Sequence, residues 1–396
     1  MKKTITKISN KKKKESKKLS IFNLFPDHRR SAFINKSTLI ENSSIKELKN
    51  AYRNKGLVLY LGAGLSRSIG LPNWVELVRS LTVKMMSKKV ESAIDALGKL
   101  DEDERWNVIY GLNDEPILNQ PSEKPILMLA RSLKDQFGAD LSNEIGNVFY
   151  RRFYRSHPTV SLGKFRLSFK TQKTLELPLF RSSESSLVEA VAALTRAERD
   201  AKGVQAIINY NYDDLLEEYL KKQKIKCKTV LSGVDHVPDG VLPAYHVHGL
   251  ISFSDYVNFR KTGKKLQSKG NFVFSEDEYH AEYSDPYRWS NMTQMSHLGR
   301  YTGLFIGLSM EDPNIRRLID VTYRQFPETK NYAIITRKNS LKKSKNDKQL
   351  ILRNLFEEVE VTSFRKIGVN VLWVDDFTEI PLLLNRIVED EISEHL

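Results

Sequence analysis

Apolar residues along this chain fall into two kinds of run, and their spacing separates strands from helices. Gly56 to Leu61 (GLVLYL) is continuously apolar, the pattern of a strand buried on both faces of a parallel sheet. Further strand-like runs occur at Val204 to Asn209 (VQAIIN), Ala244 to His248, Phe272 to Phe274, Leu304 to Gly307 (LFIG), Tyr332 to Ile335 and Val369 to Val374. Between them the apolar positions move to helical spacing. One helix is expected over about Ser44 to Arg53. Another is expected from near Pro72, with Trp74, Leu77, Val78, Leu81 and Met85 on one face. A third carries Leu215, Leu216, Tyr219 and Leu220. A fourth follows Asp312-Pro313, a cap and first-turn pair, with Ile315, Leu318 and Ile319 inward.

Strands alternating with helices predict an α/β fold, a Rossmann-like doubly wound parallel sheet. The pattern changes from about 86 to 200, where Pro125 to Phe137 and Ser186 to Arg199 lack strand alternation, and this stretch reads as a helical insertion. Residues 1–45 show no sustained periodicity. They read as a polar arm in front of one domain spanning 46–396.

Charge sharpens that division. The chain of 396 residues carries a net charge of +14. Residues 1–20 hold nine lysines against Glu15, so more than half of the excess sits in the arm. Smaller basic stretches run from Arg260 to Lys269 and from Arg337 to Lys348. Such an arm can grip phosphates, which makes nucleic acid a candidate partner, although a solvated lysine tail is the plainer reading. No apolar run approaches the roughly 18 residues of a membrane-spanning helix, and the lysine-rich start has no apolar segment of a secretory signal behind it. A cytoplasmic protein without a membrane partner is expected. The single cysteine, Cys227, excludes an intramolecular disulfide and a four-cysteine zinc site. No metal site is expected.

Candidate chemistry gathers where strands end. Gly62-Ala63-Gly64-Leu65-Ser66 follows the first strand, and such a turn lets backbone N–H groups approach a phosphate. The usual dinucleotide fingerprint is incomplete, because Arg67 stands where a third glycine belongs. On its own the turn is as readily structural. Asn211-Tyr212-Asp213 places polar side chains at the carboxyl edge of the sheet; the plainer alternative makes Asp213 or Asp214 a helix cap, with Glu217 completing a capping box on Asp214. His246 and His248 share one side of a strand at period two, but no third metal ligand has suitable spacing. Gly307 permits close backbone approach, and Ser309 offers a hydroxyl.

The longer strings are more specific. GAGLSRSIGLPNW, from Gly62, resembles the first NAD-binding motif of the sirtuin superfamily in the variant of bacterial SIR2-like proteins. NYNYDDLLE (Asn209 to Glu217), YHVHG (Tyr245 to Gly249) and LFIGLSMEDPNI (Leu304 to Ile315) then resemble the later motifs of that family in the same order. The resemblance covers about 55 to 320 and is closer to antiphage SIR2-like proteins than to protein deacetylases. It implies NAD as substrate, held by Gly62, Ala63, Gly64, Ser66, Asp213, Gly307 and Ser309, the last two toward the adenosine. It implies Asn211 as the residue positioning the attacking group at the nicotinamide ribose, and His248 as the general base on the ribose hydroxyls. A histidine's unperturbed pKa near 6.5 suits that task.

In the deacylases of that superfamily the substrate lobe is built on a zinc held by four cysteines. With Cys227 alone that lobe cannot form, so water becomes the expected acceptor and the expected enzyme is an NAD glycohydrolase of antiphage defence. The competing readings are a zinc-free deacylase or ADP-ribosyltransferase, and a non-catalytic NAD or ADP-ribose binding module. Many such defence proteins carry a long fused sensor, whereas here little follows Val374. Control is therefore expected from a homo-oligomer, from the helical insertion, or from a separate sensor or ATPase partner.

Overall fold

The computed structural model describes residues 42–89, 126–151, 161–162, 165–166, 186–196, 203–337 and 347–388. Most of the arm expected over 1–45 and parts of the expected insertion lie outside these spans. Seven strands form one sheet: β1 (Leu57–Leu61), β2 (Val204–Asn209), β3 (Cys227–Val230), β4 (Leu242–His246), β5 (Thr302–Ile306), β6 (Asn331–Thr336) and β7 (Val369–Val374). Their order is β3-β4-β2-β1-β5-β6-β7. Every pairing is parallel. The helices are α1 (42–53), α2 (Ala63–Arg67), α3 (Trp74–Lys89), α4 (Ile126–Phe137), α5 (Leu141–Tyr150), α6 (Ser186–Thr195), α7 (Leu215–Lys222), α8 (Phe253–Thr262), α9 (Glu276–Ser284), α10 (Trp289–Leu298), α11 (Pro313–Gln325), α12 (Asp347–Arg365) and α13 (Ile380–Val388).

The continuous apolar run of β1 is explained by its place at the centre. Leu57, Leu59 and Leu61 enter one core with Ile207, Leu304 and Ile306. Val58 and Tyr60 enter the other with Ala206, Ile208 and Phe305. Helices cover both faces, so neither set of side chains meets water. A short antiparallel hairpin, Ser161–Leu162 with Phe165–Arg166, interrupts the insertion expected to be helical, and the described helices of the insertion join the first core: Ala130 and Leu133 of α4, Ile145 and Val148 of α5, and Leu187 and Val191 of α6 pack there. They wall one side of the sheet rather than standing apart from it.

Topology places the crevice. From β1 the chain passes to β2, with β4 and β3 beyond, and then returns across β1 to β5 on its other side. The carboxyl ends of β1, β2 and β5 therefore flank a switch point, where open α/β sheets bind ligands. Two loops meet there backbone to backbone. Gly62 N donates to Ile306 O (3.0 Å) and Gly64 N to Gly307 O (2.9 Å). Gly307 has φ +70°, and a Cβ on it would stand 2.7 Å from Leu65 N.

One expected strand is absent, and one edge strand was not expected. Phe272 to Phe274 is no strand. Val273 N instead donates a single hydrogen bond to His248 O, while Phe274 is buried by packing. The edge strand β3 escapes the apolar pattern because three of its four residues (Cys227, Lys228, Thr229) are only half-buried. The helix expected from Pro72 begins at Trp74, where a reciprocal cap fixes it: Glu76 N donates to Asn73 Oδ1 (2.9 Å) and Asn73 N to Glu76 Oε2 (2.8 Å).

Alanine ordinarily stabilises a helical glycine site by about 0.5–1 kcal/mol. At Gly64 the added Cβ would lie 2.6 Å from Gly307 Cα. Gly64→Ala is therefore expected to lose about 1–3 kcal/mol in urea unfolding, the reverse of the helical sign.

Candidate active site

A cavity of about 770 Å³ opens at the switch point. That volume lies within the range of small-molecule sites, about 300–1,000 Å³. All nine residues singled out from the sequence line it: Gly62, Ala63, Gly64, Ser66, Asn211, Asp213, His248, Gly307 and Ser309. They come from loops after four different strands, and only the parallel sheet brings them together.

Their bonding is less uniform than their location. The amides of Gly62 and Gly64 are taken by carbonyls of the β5 loop, as above, and Leu65 N donates to Gly62 O (3.0 Å). These glycines thus serve close loop packing first, rather than presenting a row of open N–H groups. Ser66 Oγ donates to Asp213 Oδ2 (2.6 Å), and Asp213 Oδ1 accepts from Leu215 N (3.3 Å). Both side chains are buried, and together they fasten α2 to the segment after β2. Burial pushes the Asp213 carboxyl up, with the Ser66 hydroxyl opposing. Ser309 is exposed, its Oγ accepting from Glu311 N (3.3 Å). Asp312 caps α11 as expected, its Oδ1 accepting from Asn314 N (2.8 Å) and Ile315 N (3.2 Å).

Asn211 is held at three atoms. Its N donates to Asn209 Oδ1 (3.0 Å), its Nδ2 donates to Gly62 O (3.1 Å), and its O lies 3.2 Å from His246 Nδ1. The side-chain Oδ1 has no hydrogen-bond partner among the described residues, so an acceptor remains available on the cavity wall.

The two histidines part company. β4 ends at His246, and Gly249 N donates to His246 O (3.2 Å) across a turn, so strand alternation does not carry through to His248. His246 is fully buried, with Nε2 2.5 Å from Glu217 Oε1. Desolvation lowers its pKa, but the Glu217 carboxylate outweighs this and the net shift is upward. His248 lines the cavity instead. Its ring meets Tyr210 edge-on at 5.2 Å and Tyr279 at 5.9 Å, and no described residue hydrogen-bonds either nitrogen. Burial lowers its pKa, with Asp312 and Glu282 opposing, so its neutral form dominates near neutrality.

The capping box foreseen on Asp214 does not form. Asp214 stands at the cap position of α7 without a side-chain cap bond. Its carboxylate accepts from Phe253 N (2.8 Å), and Glu217 is drawn away to His246.

Sequence reasoning missed several cavity residues. Tyr279 comes from α9, whose start is marked in the sequence only by the Ser275–Glu278 capping box; its hydroxyl lies 3.4 Å from Asp312 Oδ2. Arg316 lies beside the DPN string, a position that could have marked it. It sits 5.5 Å over the Phe364 ring and makes no ion pair among the described residues. Arg337 also lines the cavity, but Glu357 (2.6 Å) and Asp375 (3.1 Å) neutralise it. Among the described residues no group of three or more His, Cys, Asp or Glu could hold a metal ion, and no helix is long and apolar enough to cross a membrane.

A family model described as the SIR2-like domain matches residues 205–360. The matched span contains three of the four strings, and its residues supply Asn211, Asp213, His248, Gly307 and Ser309 to the cavity. The glycine loop at 62–64 precedes the span in sequence and meets it in space through Gly307. Over that span the chain is similar to the SIR2-like domain. No curated protein matches the chain.

Burial pushes the Asp214 carboxyl up to about 7, the Phe253 amide opposing. A folded pKa above the unfolded value of about 3.9 means that this group's favourable contribution is full below pH 4 and is lost as pH rises through 7. Asp214→Asn should therefore flatten the decline in thermal stability between pH 4 and 8, by an amount of order 1–3 kcal/mol. An unchanged pH dependence in the variant would contradict the assignment.

Proposed function

We propose that this protein is an NAD glycohydrolase, releasing nicotinamide and ADP-ribose, and that it depletes NAD in defence against phage. The observation that carries the reading is the convergence of Asn211 and an unpaired, neutral His248 on one cavity with the interlocked glycine loops. The similarity to a SIR2-like domain supports NAD as the substrate.

Cleavage breaks the nicotinamide–ribose bond with both electrons leaving on the pyridine nitrogen, which neutralises its positive charge. The ribose carbon becomes oxocarbenium-like and water completes the bond, so NAD⁺ and water give nicotinamide, ADP-ribose and one proton. Asn211 Oδ1 is the acceptor suited to orient a ribose hydroxyl or the attacking water. His248 takes the proton. Arg316, half-buried on the wall, offers a cation to the diphosphate. Water is favoured as acceptor because Cys227 is the only cysteine and cannot build the four-cysteine zinc lobe of the deacylases.

An enzyme that destroys NAD must be silent until needed. Assembly into a homo-oligomer, or engagement of a separate sensor or ATPase, is the proposed gate, requiring a few kcal/mol of differential stability between two arrangements. The basic arm would make a polyanionic contact sensitive to salt.

His248→Ala and Asn211→Ala should each lower nicotinamide release by about 100-fold or more while leaving the melting temperature near that of the parent. Near-parental turnover in His248→Ala would sink the assignment, and nicotinamide release only with an acyl-lysine peptide would favour a deacylase. Since the base is the neutral imidazole with a lowered pKa, the acid limb of kcat/KM should lie below pH 6.5. For the gate, turnover per subunit should rise with protein concentration; a dilute monomer working at full rate, unaffected by partner or by removal of 1–45, excludes assembly control.

A further inference from the structure

We propose that His246 is a positioning residue, holding Asn211 in place through its backbone carbonyl; the catalytic part of this inference rests on the reading of Asn211 given above. His246 itself is fully buried and does not line the cavity. Its two ring nitrogens face two acceptors. Nδ1 is 3.2 Å from Asn211 O, a carbonyl that can only accept, so Nδ1 carries a proton. Nε2 is 2.5 Å from Glu217 Oε1, and that bond needs a second proton between them. The pair is therefore net neutral, as imidazolium and carboxylate or as imidazole and carboxylic acid. In both forms Nδ1 donates to Asn211, and Glu217 fixes the ring that does so.

The consequence falls on one short segment. β2 ends at Asn209, and α7 begins at Leu215. Asn211 lies between them, and its side chain reaches back to Gly62 O (3.1 Å). Without the His246 bond the peptide of Asn211 loses the anchor on its carbonyl side, and the side-chain Oδ1 loses its fixed place. Glu217 Oε2 is buried with no partner, so the carboxylate spends one oxygen entirely on this histidine. A pair serving core stability alone would not need Nδ1 directed at the residue that bears the exposed acceptor.

Two isosteric replacements separate these roles. An asparagine amide nitrogen occupies the place of Nδ1, and a glutamine amide nitrogen the place of Nε2. Each is made together with Glu217→Gln, so that no carboxylate is left buried and unpaired, and Glu217→Gln alone is the parent. His246→Asn should keep the protection of 209–214 in hydrogen–deuterium exchange, whereas His246→Gln should exchange that segment about tenfold faster, with both variants melting alike. In nicotinamide release His246→Gln should lose about 10–100-fold in kcat relative to His246→Asn, with KM within about threefold. Equal exchange and equal kcat in the two variants would overturn the proposal, as would loss in His246→Asn alone. A loss of protection across the whole chain in both would assign the pair to core stability. A wild-type protein that releases no nicotinamide would sink the NAD glycohydrolase reading, while the exchange comparison would still decide what His246 holds.

Discussion

Two backbone hydrogen bonds between the loops after β1 and β5 set the geometry on which the cavity depends. With Gly62 N on Ile306 O and Gly64 N on Gly307 O, the loops approach more closely than any side chain permits. That approach fixes Gly62 O, the acceptor for Asn211 Nδ2, and so ties the segment after β2 to the segment after β1. Ser66 and Asp213 repeat the tie one helical turn later. Backbone contacts of this kind resist small adjustments, because interiors are close-packed and a displaced loop has nowhere to go. Rigidity at the floor of the cavity is thus built from glycine, the residue with most freedom in the unfolded chain.

The same packing changes how the glycine string should be understood. Its resemblance to a phosphate-binding turn rests on small residues and a following helix. In the folded chain three of its amides, those of Gly62, Gly64 and Leu65, already have protein acceptors, and α2 is only five residues long. In the NAD glycohydrolase proposed above, the diphosphate takes part of its charge balance from elsewhere. Arg316, over Phe364 and without a carboxylate partner among the described residues, is a cation open on the wall, whereas Arg67 is paired with Glu76. Arg337 is already balanced by Glu357 and Asp375.

Most of the fold was legible because its strands are central. β1 and β2 are apolar on both faces, and β5, β6 and β7 nearly so, which leaves little ambiguity in a string such as GLVLYL. β3 was not legible, since an edge strand of half-buried residues carries no apolar pattern. The aromatic segment at 272–274 misled for the opposite reason: Phe272 packs on the Tyr212 ring and the buried Phe274 stacks on Phe272, without a strand ladder. Site residues inside ordered strings were found. Tyr279 was not, because it reaches the cavity only through the placement of α9, which nothing in its local sequence announces.

Environment divides the two histidines of YHVHG in a way their spacing could not reveal. Alternation would have put both on one side of a strand and given them one chemistry. The strand stops at His246, and the turn closed on Gly249, whose φ is +81°, re-aims His248 into the cavity. One ring gains a carboxylate and is pushed toward the protonated form; the other is buried between Tyr210 and Tyr279 without a hydrogen-bonded carboxylate and is pushed toward the neutral form. Titratable neighbours driven in opposite directions are a mark of divided roles. A proton locked in the His246–Glu217 pair cannot shuttle in the reaction proposed above, because releasing it would leave a buried carboxylate unbalanced. The lone imidazole has no such constraint. It can accept a proton at the cavity wall and return it to solvent, which leaves His248 as the histidine of this pair suited to general base catalysis.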